Sequence, residues 1–202
     1  KVKQILSPGC KGEGATPVKG FQSQTKVSLK SVDRFYDTFI PDLHDGRHPI
    51  PMIVVYHGDG GSGADIRAQY KIEDASGGKA IVVYPDAAAP QKQWDLERGG
   101  DSNPDIALFD AIVKSLTETY CVDTNRVFVA GDSRGGFFAN QLGCQRGGSI
   151  RAIASNSGGG PFATTADFDG NLNCPQKPVA ALIVHGATDT EVLPKEGQSS
   201  RD

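Results

Sequence analysis

Apolar residues recur along this chain in short blocks separated by polar, Gly-rich stretches. Residues 51–56 (PMIVVY), 80–84 (AIVVY), 126–130 (RVFVA) and 178–184 (PVAALIV) are β-branched or aromatic runs of strand length, and residues 150–155 form a weaker one. Blocks this uniformly apolar predict strands buried on both faces, as in a parallel sheet. Residues 34–40 instead alternate Phe35, Asp37, Phe39 against Tyr36, Thr38, Ile40, which predicts another strand. Helical segments fall between the strands. Residues 64–75 are closed by Gly77-Gly78. Residues 105–120 carry Ile106, Phe109, Ile112, Val113 and Leu116 at helical spacing, behind a Ser102-Asn103-Pro104 start. Residues 137–145 make a third. Strands alternating with helices predict an α/β fold, a mostly parallel sheet with helices on both faces, as one domain over residues 1–202. The polar residues 1–25 read as a surface arm, 41–47 as a turn, 87–103 as a long loop and 161–177 as an irregular insertion. Residues 196–202 read as the opening of a helix.

The strand at 126–130 runs directly into Gly131-Asp132-Ser133-Arg134-Gly135, and a helix follows. This is G-x-S-x-G in the strand–turn–helix setting of a nucleophile elbow. A tight turn there lifts the Ser133 hydroxyl clear of the sheet, and Gly131 and Gly135 leave room where a β-carbon would crowd the neighbouring elements. The helix N-terminus behind Ser133 favours developing negative charge. The Arg134 N–H is the expected first oxyanion donor. A Gly-Ser turn that merely joins two elements would match the bare pattern, so it is the setting that assigns Ser133 as nucleophile.

A serine hydroxyl needs a base and an acid behind the base. Asp189, in His185-Gly186-Ala187-Thr188-Asp189 after the strand at 178–184, is the expected acid, with Glu191 its rival. The loop His57-Gly58-Asp59-Gly60-Gly61 follows the strand at 51–56. It can aim a second N–H at the oxyanion, from Asp59 first and Gly60 second. His57 is expected to anchor this loop by a hydrogen bond rather than act in catalysis. Trp94 is expected to line the substrate pocket, and Phe137 and Phe138 to join the core. A competing reading takes Gly58 to Gly63 as G-x-G-x-x-G of a dinucleotide site, with Asp86 as the ribose acid. It leaves the Ser133 elbow unexplained.

A net charge of −3 gives no electrostatic footprint for nucleic acid or an anionic membrane, and the apolar runs are too short to span a bilayer. The chain opens at Lys1 without a leader-like segment, as expected of a mature secreted or trimmed chain. Cys10, Cys121, Cys144 and Cys174 are an even set in loop-like surroundings, which favours disulfides and an oxidising compartment. Cys144 with Cys174 is the preferred pair, leaving Cys10 and Cys121 to bond together or outside the chain. No C-x-x-C occurs, so metal is not expected, and the proposed chemistry needs no cofactor.

Several of these segments resemble the secreted polyhydroxybutyrate depolymerase and feruloyl esterase family. They are His57-Gly58-Asp59-Gly60-Gly61, Trp94-Asp95, Gly131 to Gly136 with Asn140, His185 to Asp189, and the Ser7-Pro8-Gly9-Cys10 opening. The resemblance covers nearly all of the chain from Ser7. It implies an α/β-hydrolase fold and hydrolysis of carboxylic esters, feruloyl or acetyl groups on plant polysaccharide or short polyesters. It also implies that Ser133 is the nucleophile and Asp189 the acid. Asp132 and Arg134 are more charged than the family's pattern leads one to expect. The larger departure is the base. The family's His follows the acid, whereas His44, His48, His57 and His185 all precede Asp189. Truncation, with the last strand and helix of the fold lacking, is the expected explanation; the alternative is a non-catalytic carbohydrate-binding protein that keeps the fold. A missing strand would leave an unpaired sheet edge open to association.

Overall fold

A computed structural model describes residues 3–10, 17–29, 32–161, 174 and 177–199. Its frame is one seven-stranded mixed sheet: β1 Gly20–Leu29, β2 Val32–Ile40, β3 Ile50–Tyr56, β4 Ile81–Pro85, β5 Val122–Asp132, β6 Ala152–Asn156 and β7 Ala180–Val184. The spatial order is β1-β2-β4-β3-β5-β6-β7. β1 and β2 are antiparallel to their neighbours, and β4, β3, β5, β6 and β7 run parallel. The central apolar blocks became parallel strands whose faces helices cover, whereas the block at 178–184, expected to be buried on both faces, forms the largely exposed β7. Helices α3 (Pro104–Thr119) and α4 (Arg134–Arg146) cover one face. Ile106, Phe109, Ile112, Leu116, Phe138 and Leu142 meet Met52, Val54, Val127 and Val129 there. On the other face α1 (Gly63–Tyr70) and α2 (Ile72–Ala75) set Ile66 and Ile72 against Val55 and Val82. Helix α5 (Pro194–Ser199) closes the described chain and starts two residues ahead of the segment expected to open a helix.

Several expectations need correction. Residues 20–25 are not arm but the first part of β1, a half-exposed strand paired to β2. Of the residues ahead of it, Leu6 bridges to Asp123, and Ser7 and Gly9 donate to Val122 O and Thr117 O. The helix expected over 64–75 is broken at Lys71, whose φ of 45° ends α1 and opens α2. Helix α4 begins three residues before the expected 137, immediately after Ser133. Phe138 is core as expected, while Phe137 is only half-buried. Most of the 161–177 insertion lies outside the described residues, as do 200–202. Both disulfides form, Cys144–Cys174 and Cys10–Cys121. No helix among the described residues is long and apolar enough to cross a membrane.

Candidate active site

Ser133 sits between β5 and α4 with φ 53° and ψ −123°. For a non-glycine residue this backbone costs about 1–3 kcal/mol and persists only where its surroundings impose it. The imposing contacts are visible. Ser133 N–H donates to Asn156 O at 2.9 Å, and Ser133 O accepts from Gly136 N and Phe137 N. The turn is also tight enough to exclude side chains on either side. A β-carbon on Gly131 would lie 2.0 Å from Gly135 O, and one on Gly135 would lie 2.2 Å from Tyr56 O. Asp132, odd in the sequence, is spoken for: its Oδ1 accepts from Asn156 Nδ2 at 2.6 Å and from Tyr70 OH at 2.9 Å. Asn156 at the end of β6 thus holds the serine through its carbonyl and the preceding aspartate through its side chain. Burial raises the Tyr70 phenol to about 12, and donation to the Asp132 carboxylate adds to the rise.

The loop after β3 lies against the serine, since a β-carbon on Gly58 would come within 3.2 Å of Ser133 Cβ and 3.7 Å of its Oγ. His57 anchors the loop as expected. Its Nε2 accepts from Ala87 N–H at 3.1 Å, so the proton sits on Nδ1 and is donated to Gly58 O at 2.6 Å. Both ring nitrogens are occupied and burial lowers the pKa, which leaves a neutral imidazole with no proton to trade. The Gly60 N–H is taken by Lys92 O, which removes the second-choice donor. The N–H groups of Asp59 and Arg134 have no acceptor among the described residues.

Trp94 does not line an open pocket. It has no exposed surface; it stacks on Phe138, packs edge-on to Tyr56 and donates Nε1–H to His57 O at 2.8 Å. The loop expected to present it is instead folded in beneath the loop after β3. Arg134 Nε donates to Trp94 O at 2.8 Å and lies 3.5 Å from Asp59 Oδ1. Sequence reading missed this contact, because nothing local pairs residues forty positions apart.

Asp189 follows β7 at the same edge of the sheet as Ser133, two strands away, roughly 10 Å across the ladder. Its Oδ1 accepts the Val192 and Glu191 N–H groups, each at 3.0 Å. The Val192 N–H is the main reason its pKa lies below the usual carboxylate range, followed by Glu191 N–H, the Ser157 hydroxyl and His185. Glu191 therefore supports Asp189 through its backbone. None of the four imidazoles is hydrogen-bonded to Ser133. His185 Nε2 lies 2.7 Å from Val192 O and 3.6 Å from Asp189 Oδ2. His48 pairs with Asp45 on the surface, and His44 is fully buried. Asp86, the candidate ribose acid, accepts from Gly63 N–H at 2.7 Å and from Gln24 at 3.0 Å, so it binds the Gly-rich loop itself. Among the described residues no group of three His, Cys, Asp or Glu side chains could hold a metal ion.

Known proteins carry the same frame. A probable feruloyl esterase C from Aspergillus niger is 32% identical over 197 residues, 95% of this chain. The chain is related to the feruloyl esterases. It spans 64% of that relative's length. Among solved structures, an acetyl xylan esterase from Aspergillus awamori superposes with a TM-score of 0.67 at 15% identity, covering 87% of this chain and 76% of its own. A ferulic acid esterase from Anaeromyces mucronatus, in complex with ferulic acid, gives a TM-score of 0.65 at 18% identity, covering all of this chain and 85% of its own. These likenesses fix the α/β-hydrolase fold. No family model matches the chain.

Proposed function

We propose that the protein is a serine carboxylic-ester hydrolase acting on feruloyl or acetyl esters of plant polysaccharide, or on short polyesters, from a single catalytic domain of which residues 1–202 are the larger part. The carrying observation is Ser133, held at positive φ beside two N–H groups with no acceptor among the described residues. Ser133 Oγ attacks the ester carbonyl, and the N–H groups of Arg134 and Asp59 receive the oxyanion. The alcohol leaves and water then releases the acid from the acyl-serine. The base that takes the Ser133 proton is a histidine from outside these residues, with Asp189 holding its tautomer, because none of the four imidazoles here is hydrogen-bonded to Ser133. Secretion fits the two disulfides. Association through the edge of β7 that is unpaired among the described residues belongs to the same proposal.

The test is hydrolysis of p-nitrophenyl acetate and methyl ferulate by the longer reading frame containing these residues, with Ser133→Ala as control. Turnover that Ser133→Ala cuts by about four or more orders of magnitude is expected. A longer protein that turns over neither ester sinks the assignment. That no imidazole among the described residues is hydrogen-bonded to Ser133 also favours one second reading, a carbohydrate-binding protein without catalysis, which predicts oligosaccharide affinity that Ser133→Ala leaves unchanged.

A further inference from the structure

Two charged side chains stand where the chemistry above uses only backbone. Arg134 and Asp59 each lend an N–H to the oxyanion, yet their side chains meet each other, Arg134 Nε lying 3.5 Å from Asp59 Oδ1. The same Nε donates to Trp94 O at 2.8 Å. Trp94 is fully buried, stacked on Phe138 of α4 with ring centroids 5.5 Å apart, and it donates to His57 O at the start of the oxyanion loop. The contacts close a circuit: helix α4 to Arg134, Arg134 to Trp94, Trp94 to His57, and along the loop to Asp59 and back to Arg134.

We propose that the Arg134 side chain is a brace that fixes the separation of the two oxyanion donors, so that Arg134 and Asp59 are positioning residues through their side chains as well as donors through their backbones. The proposal rests on the ester-hydrolysis reading. The loop needs such a tether. Gly58, Gly60 and Gly61 carry no side chains to pack, and nothing lies within 4 Å of where a Gly60 β-carbon would stand. The Asp59 side chain is 51% exposed. The loop's backbone is held by Gly60 N to Lys92 O and Gly61 N to Gly58 O, both 3.2 Å, by His57 Nδ1 to Gly58 O at 2.6 Å and by Trp94 Nε1 to His57 O at 2.8 Å, none of which reaches Asp59. An oxyanion hole works when its donors stand about 2.7–3.1 Å from the place the charge will occupy, and losing one donor costs about 10²–10³ in kcat. Part of that loss follows when a donor is present but loosely held. An exposed ion pair adds little to stability, so the function of this one is geometric.

The substitutions Arg134→Ala, Arg134→Lys and Asp59→Ala leave both N–H groups in place. In the longer, catalytic reading frame each is expected to lower kcat on methyl ferulate by about tenfold with KM unmoved. Arg134→Lys, which keeps the charge but loses the planar fork, is not expected to rescue. A guanidinium acting only as a cation on the oxyanion predicts the reverse: rescue by Lys, and a kcat that holds or rises in Asp59→Ala. Either result overturns the brace. Amide hydrogen exchange of residues 57–61 is read in parallel on the 202-residue chain, where faster exchange is expected in every variant. Unchanged exchange overturns the proposal, as does faster exchange with kcat intact. Asp59→Ala alters a half-exposed side chain and keeps the test open should Arg134→Ala fail to fold. An inactive parent sinks the hydrolase reading alone, and loop exchange then decides for or against the brace.

Discussion

One methyl group at Gly135 decides whether the serine turn can close. Its β-carbon would meet Tyr56 O at 2.2 Å and His57 O at 2.6 Å, both backbone atoms of a central strand and its loop that cannot step aside. Gly135→Ala is therefore expected to cost more than about 4 kcal/mol or to abolish folding. Gly99→Ala, with φ −109° and no neighbour nearer than 3.7 Å, should change stability by less than about 0.5 kcal/mol. Urea melts of the two variants check this, and equal losses would mean that the elbow relaxes. The buried histidines carry a pH prediction. Burial lowers the pKa of both His57 and His44 from an ordinary 6.5. The unfolded chain takes up protons there while the folded chain resists them, so stability is full above about pH 6.5 and falls as the pH drops below it. His57→Gln, which can still accept from Ala87 N–H, should flatten the pH 7-to-5 slope of the melting temperature. A slope that persists assigns the effect to other groups. The serine turn was legible in the sequence because its geometry is local, a strand, two glycines and a helix in one stretch. Arg134 against Trp94 was not, because only the folded sheet brings the loop after β4 under the elbow.

The central strands were legible because they are buried, whereas β7 was legible from its apolar composition although it is largely exposed among the described residues. The parallel strands β3, β4 and β5 announced themselves as apolar runs because both of their faces are covered. β1 did not, since its residues alternate between half-buried and exposed in a polar composition. The break at Lys71 escaped because a single left-handed residue leaves no trace in the apolar spacing. The two edges of the sheet differ in how they meet solvent. β1 carries Lys26 and a register irregularity between Gln22 and Thr25, devices that discourage pairing with another chain. β7 reads AALIV without a charge, with Leu182 62% and Val184 49% exposed, and among the described residues it pairs on one side only. The 202-residue chain is thus expected to associate through β7 as its concentration rises. Sedimentation equilibrium should show the mass climbing above 21.3 kDa, and Leu182→Lys should hold it there. Parent and variant associating alike would place the contact elsewhere.

At the scale of the whole molecule, the two disulfides constrain very different lengths of chain. Cys10–Cys121 joins residues 111 apart and Cys144–Cys174 joins residues 30 apart. The sequence left the partner of Cys10 open, because pairing is set by which loops the sheet brings together. The N-terminal residues reach Cys121 by lying along the junction of α3 and β5. Ser7 Oγ donates to Tyr120 O at 2.8 Å and accepts from Val122 N at 3.0 Å, and Gly9 N donates to Thr117 O at 2.7 Å. These bonds do not depend on the bridge, so the folded state should survive its loss with the arm in place. What the bridge removes is freedom of the unfolded chain. Loop-closure entropy puts that at about 5 kcal/mol for the longer loop and about 3.5 kcal/mol for the shorter. Cys10→Ser with Cys121→Ser should therefore lower the melting temperature further than Cys144→Ser with Cys174→Ser, at fixed pH and protein concentration. The opposite order would mean that the bridges act on the native state, with the hydrogen bonds around Ser7 too weak to hold the arm once Cys10 is released.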